Sequence, residues 1–108
     1  MDPAEQDALN QALDRMWIKF LPQLQERVSI LEAAAVAFSA GQLTDQKAAN
    51  AAAHNLAGVL GTFGLTEGTA LARELEIMYS REGGPDRSYA AHLAAIAGQL
   101  RTIVASRK

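Results

Sequence analysis

Apolar positions recur at three- and four-residue steps along most of the chain, the spacing of helices that each turn one face to a core. The first series is Leu9, Leu13, Met16 and Phe20, with Trp17 on its flank, and Leu24, Val28, Leu31, Ala35 and Phe38 continue its phase. Pro22 falls between the two series. A proline inside a helix removes a donor and crowds the carbonyl one turn back. The pattern therefore predicts a short first helix that bends at Leu21–Pro22 into a second, which runs to about Ala40, with Gly41 in the left-handed position beyond it. Asp2-Pro3-Ala4-Glu5 is a helix start: a capping aspartate, a proline at the first helical position and a glutamate at the capping-box position.

Thr44 is the expected cap of the next helix, with Asp45 favourable in its first turn. Ala49, Ala52 or Ala53, Leu56, Leu60 and Phe63 form its inner stripe, and Gly64 stops it. Thr66 is the expected cap of a further helix with Leu71, Leu75 and Met78 on one face and Tyr79 beside them. Arg81 to Asp86, REGGPD, reads as a loop. The last helix has Tyr89, Leu93, Ile96, Leu100 and Ile103 on its stripe, and its basic end, Arg101 to Lys108, suits the helix dipole. No alternating strand pattern or internal repeat appears. These elements predict an all-α fold: one domain over residues 1–108, an antiparallel up-down four-helix bundle, with the additional short N-terminal helix lying across one end. Trp17, Phe20, Phe38, Phe63 and the methionines are expected in the core.

Composition narrows the chemistry. A chain of 108 residues can bury a core without disulfides or metal, and the absence of cysteine excludes thiolate chemistry and zinc–thiolate sites. A net charge of −2 provides no basic field, so nucleic acid is not an expected partner. No apolar run approaches the ~20 residues of a membrane span. The polar, acidic start MDPAEQDALN is not a signal peptide. A cytoplasmic protein is expected.

His54 lies off the inner stripe of its helix. Its neighbours three and four residues away are Asn50 and Ala51 on one side and Ala57 and Gly58 on the other, with Gly61 a turn further on. The imidazole is therefore expected on the outer face, with small residues around it. Each mid-helix glycine costs about 1 kcal/mol relative to alanine, which suggests that something must approach closely. An exposed imidazole serves as base, metal ligand or nucleophile. No Asp or Glu lies within a helical turn of His54 to orient it as a base, and the other histidine, His92, is on a different helix with no ligand cluster around it. Either role would need partners from another helix; a carboxylate at the ring, inside a closed pocket, would favour an enzyme.

The segment Ala52–Leu65, AAHNLAGVLGTFGL, followed by LARELE at Leu71–Glu76, resembles the phosphoacceptor helix of bacterial histidine-containing phosphotransfer (HPt) domains. The family pattern is roughly H-x-L-K-G with a glycine near the helix end; His54, Leu56, Gly58 and Gly64 match it, and Ala57 stands where the family has lysine. The resemblance implies a four-helix bundle with an added N-terminal helix. It implies a phosphorelay module of two-component signalling in which His54, on its outward Nε2, exchanges a phosphoryl group with a receiver-domain aspartate or a sensor kinase. The receiver would bring the Mg²⁺, so no cofactor or metal of the chain's own is expected. Asn50, Ala51, Ala57, Gly58 and Gly61 are the expected docking surface. Lys47, two turns before His54, is the candidate phosphate-neighbouring cation, with Arg73 a second. The missing lysine motivates an alternative: a helical interaction or scaffold domain of the same shape without phosphotransfer.

Overall fold

The computed structural model describes residues 2–42, 45–81 and 84–107. Four α-helices carry the fold: α1 (Pro3–Ser39), α2 (Gln46–Thr62), α3 (Thr66–Ser80) and α4 (Ala90–Ser106), with a 3-10 turn at Arg87–Tyr89. There is no strand among the described residues.

α1 starts as its sequence dictates. The Asp2 carboxylate accepts the Glu5 N–H at 2.8 Å, and Pro3 occupies the first turn, where its missing N–H costs nothing. The helix then runs unbroken through Pro22 to Ser39, so the expected separate N-terminal helix does not exist. Pro22 faces solvent, and the buried stripe keeps one phase across it from Trp17 to Leu24, Val28, Leu31 and Ala35. Packing on both sides overrides a local cost of about 3 kcal/mol for an interior proline. Pro22→Ala is accordingly expected to raise stability by up to about 3 kcal/mol, read as a higher denaturant midpoint with unchanged slope. The segment before Pro22 does not fold over the end of the bundle. Leu9 (44%) and Met16 (41%) are exposed there, contrary to their expected place on a core stripe.

Asp45 caps α2, accepting the Ala48 N–H at 3.0 Å. The expected cap Thr44 lies outside the described residues, as does part of the REGGPD loop. α2 ends in a Schellman turn: the Gly64 and Leu65 N–H groups donate to the Gly61 and Leu60 carbonyls, with Gly64 at φ 72°. Thr66 is the first residue of α3, and no side chain caps that helix. Asp86 accepts the Ser88 N–H at 2.9 Å, and this bond holds its carboxyl below the usual carboxylate range. α4 buries Leu93, Ile96, Ala97, Leu100 and Val104, whereas Tyr89 precedes it in the 3-10 turn and is exposed.

Neighbouring helices run antiparallel. Trp17 of α1 meets Phe63 at the end of α2, edge to face, with centroids 5.2 Å apart. Arg101 of α4 reaches Ser29 and Glu32 of α1, while Arg107 reaches back to Asp14. His92 near the start of α4 bonds Glu74 of α3, and Ile103 near its end lies against Gly68. The core at the centre consists of Leu24, Leu31, Leu56, Leu60, Leu75, Leu93, Ile96, Leu100 and Val28. Phe20, Phe38 and Phe63 are half-buried at its margin, not inside it.

Candidate functional site

The site is built on the α2–α3 hairpin. The Schellman turn at Gly64 folds α3 back along α2, and one edge of α2 is pinned to α3 by polar side chains four residues apart. Gln46 Nε2 donates to the Tyr79 carbonyl at 2.7 Å and to the Arg81 carbonyl at 2.5 Å, filling acceptors that the end of α3 leaves open. Asn50 Nδ2 donates to the Glu76 carbonyl at 2.8 Å. Thr69 Oγ1 donates to the Ala57 carbonyl at 3.2 Å, closer to the turn. His54 is the third member of the Gln46–Asn50–His54 row, and its Nδ1 lies 2.6 Å from Glu76 Oε2.

The His54 side chain is 72% exposed and that of Glu76 26%. An ionised carboxylate only accepts hydrogen bonds, so Nδ1 carries the proton of this contact. The lone pair of the neutral ring is then on Nε2, the nitrogen that faces away from Glu76. One glutamate thereby fixes both the tautomer and the ring plane. An exposed pair of this kind contributes at most about 1 kcal/mol to stability; its consequence is orientation.

The expected docking residues divide. Ala51 and Gly58 are exposed, and a Cβ added at Gly58 would meet nothing within 4 Å. No packing demand explains that glycine, and it leaves the surface beside the imidazole low. A Cβ at Gly61 would come within 3.4 Å of Thr69 Oγ1, so that glycine serves the approach of α3 as well. Ala57 is buried, 3% exposed, in the core, and offers no docking surface. Three residues beyond His54 the helix has already turned inward, because α3 covers that flank of α2. Asn50 is half-buried and spent on Glu76. Lys47 and Arg73 are exposed and make no hydrogen bond or ion pair among the described residues. Lys47 is about 10 Å from His54 along the helix axis.

Glu76 is the residue that composition and motif leave unmarked. Within LARELE it reads as a surface charge. The signal lies in the hairpin: His54 is eleven residues before Leu65 and Glu76 eleven after it, so an antiparallel fold-back brings them level. A carboxylate at the ring is thus present, but the exposed ring sits in no closed pocket, which removes the basis for an enclosed acid–base site. Among the described residues no three His, Cys, Asp or Glu side chains gather as a metal cluster, and no helix is long and apolar enough to cross a membrane.

In comparison with known families, the family model described as Hpt domain matches residues 15–106. No curated protein and no solved structure matches the chain.

Proposed function

This chain belongs to the Hpt domain family, and we propose that His54 is its phosphoacceptor, exchanging a phosphoryl group with the aspartyl phosphate of a receiver domain in a bacterial phosphorelay. The observation that carries the reading is the His54–Glu76 contact: the nitrogen left with the lone pair is the one that faces solvent.

The transfer balances as an in-line displacement. The Nε2 lone pair attacks the phosphorus, the P–O bond to the aspartate breaks, and the aspartate carboxylate leaves with the bonding electrons. The ring gains positive charge as the N–P bond forms, and the Nδ1–H donated to Glu76 faces a negative oxygen throughout. Glu76 therefore stabilises charge that develops during transfer, and it does not take part in bond making. Phosphoryl transfer passes through a loose transition state that needs positioning and charge neutralisation more than covalent help. The receiver would supply the divalent cation. This chain supplies an oriented nucleophile and a low surface at Ala51 and Gly58. With Ala57 buried where the family pattern has lysine, cationic neutralisation falls to the receiver, with Lys47 near enough to add to it.

The test is incubation with a receiver charged by a small phosphodonor. Phosphate should appear on this chain that is labile in acid and stable in alkali, the behaviour of a phosphoramidate. A chain that binds the charged receiver and never acquires such phosphate is the scaffold alternative. Glu76→Ala is expected to slow transfer about tenfold, because it frees the tautomer and the ring rotor of an exposed group. Glu76→Gln keeps an acceptor but not the charge and should fall between. Rapid-quench transfer rates check the order; three equal rates would remove Glu76 from the reading.

A further inference from the structure

Residues 3–16 of α1 extend beyond the rest of the molecule. α1 has 37 residues against 17, 15 and 17 in α2, α3 and α4, and it spans the long 53 Å dimension. α4 covers the inner stripe of α1 until it ends at Ser106. There Arg107 lies 5.1 Å over both Trp17 and Phe63 and reaches Asp14, closing that end of the bundle. Towards and beyond this lid the stripe continues as Leu13, half-buried, with Leu9 and Met16 exposed on either side of it. The uncovered lane is about 20 Å long and follows the line of α4, antiparallel to α1.

We propose that a second copy of this chain fills this lane, its residues 3–16 packed antiparallel on those of the first in a two-fold symmetric dimer. The stripe has the spacing of a coiled-coil seam: Leu9 and Met16 at one core position of the heptad, Gln6, Leu13 and Phe20 at the other. Antiparallel pairing sets Leu9 of each copy on Leu13 of the other. The charges choose the occupant. The tip of the overhang is acidic, with Glu5 and Asp7 on it and Asp2 just before it; Arg15 is at its base and Lys19 one turn further along α1, while Asp14 is already held by Arg107. Glu5, Asp7, Arg15 and Lys19 make no ion pair among the described residues. Glu5 and Lys19 share one flanking heptad position, so the antiparallel arrangement brings Glu5 of each copy beside Lys19 of the other, twice by symmetry. A parallel arrangement sets like on like. A surface complementary to itself under a two-fold rotation is the mark of an isologous interface. About three helical turns of overlap bury less than the ~1,000 Å² of a stable interface, so the dimer is a weak one that forms as the concentration rises.

The test is sedimentation equilibrium of the full chain from about 10 µM to 1 mM, at low and high salt, with engineered cysteines as a geometric check. Expected is a reversible monomer–dimer equilibrium that weakens with salt. Leu9→Glu, at an exposed position, should weaken association at least tenfold without changing the thermal midpoint of the bundle, and Leu13→Glu should weaken it as strongly. Glu5→Lys and Lys19→Glu should each weaken it several-fold, and the two together should restore it. The chain has no cysteine, so a single one reports orientation. Ala12→Cys, near the two-fold axis, should cross-link on oxidation, and Glu5→Cys should not. A monomer throughout the range, a dimer indifferent to Leu9→Glu and Leu13→Glu, a double charge variant no better than the singles, or ready cross-linking at position 5 overturns the proposal.

Discussion

His54→Gln should take up no phosphate from a charged receiver, a loss on the order of 10³-fold or more, because the substitution removes the nitrogen proposed to form the new bond. Glutamine makes the comparison clean. Its amide can still donate to Glu76, its length matches the imidazole, and it is a better helix former than histidine. The position is mostly exposed, so the thermal midpoint should move by no more than an ordinary surface substitution, within about 0.5 kcal/mol. The control is His92→Gln. His92 is also paired with a glutamate, Nε2 to Glu74 Oε1 at 2.6 Å, and half of its side chain is exposed. Its contact engages the opposite nitrogen, and the Tyr89 ring stands 6.5 Å away where His54 has Ala51 and Gly58. Label retained by His54→Gln and lost by His92→Gln would move the acceptor to α4.

Reading the chain as helices with one apolar face each was enough to reach an all-helical bundle, because Leu24 to Phe38, Ala49 to Leu60 and Leu93 to Leu100 keep their period without interruption. The failures have local causes. Pro22 carries a strong breaking signal, but a proline whose ring faces solvent is tolerated where the stripe on the opposite side stays in register. Leu9 and Met16 continue that stripe, and periodicity alone does not say whether a partner helix is long enough to cover them. At the site, the exposure of His54 followed from its offset from Leu56 and Leu60. Asn50 also turns towards α3, because a neighbour on the outer face of one helix can be an inner neighbour of the next. Ala57 was misassigned for the complementary reason: α3 lies over the flank of α2 that it occupies. The burial of Ala57, the contact of Asn50 and the role of Glu76 all concern contacts between helices, which single-helix periodicity does not encode. The reflection of α2 onto α3 about Leu65 does encode them.

Leu60→Ala should destabilise the protein by about 3 kcal/mol, and adding Gly68→Ala should return about 1–2 kcal/mol of that loss. Leu60 is fully buried on the face of α2 that meets α3 and α4. A Cβ at Gly68 would come within 2.9 Å of Leu60 Cδ1 and 3.3 Å of Ile103 Cγ2. In the native core, Gly68→Ala gains about 1 kcal/mol of helix propensity and loses about 1–3 kcal/mol to overpacking, so it should lower stability slightly. Once Leu60 is shortened the clash is gone. The propensity gain remains, and the added methyl fills part of the hole. Gly68→Ala should therefore change sign between the two backgrounds, and urea denaturation at constant slope measures both arms. An equal cost in both would mean that the two residues do not touch. The same cycle bears on the acceptor. Leu60 and Gly68 lie between the turn and His54, in the seam that sets the register of α3 on α2, and that register is what brings Glu76 to Nδ1. A shortened Leu60 loosens the seam, so transfer by Leu60→Ala should slow by no more than the Glu76→Ala variant does, and should recover when Gly68→Ala tightens it.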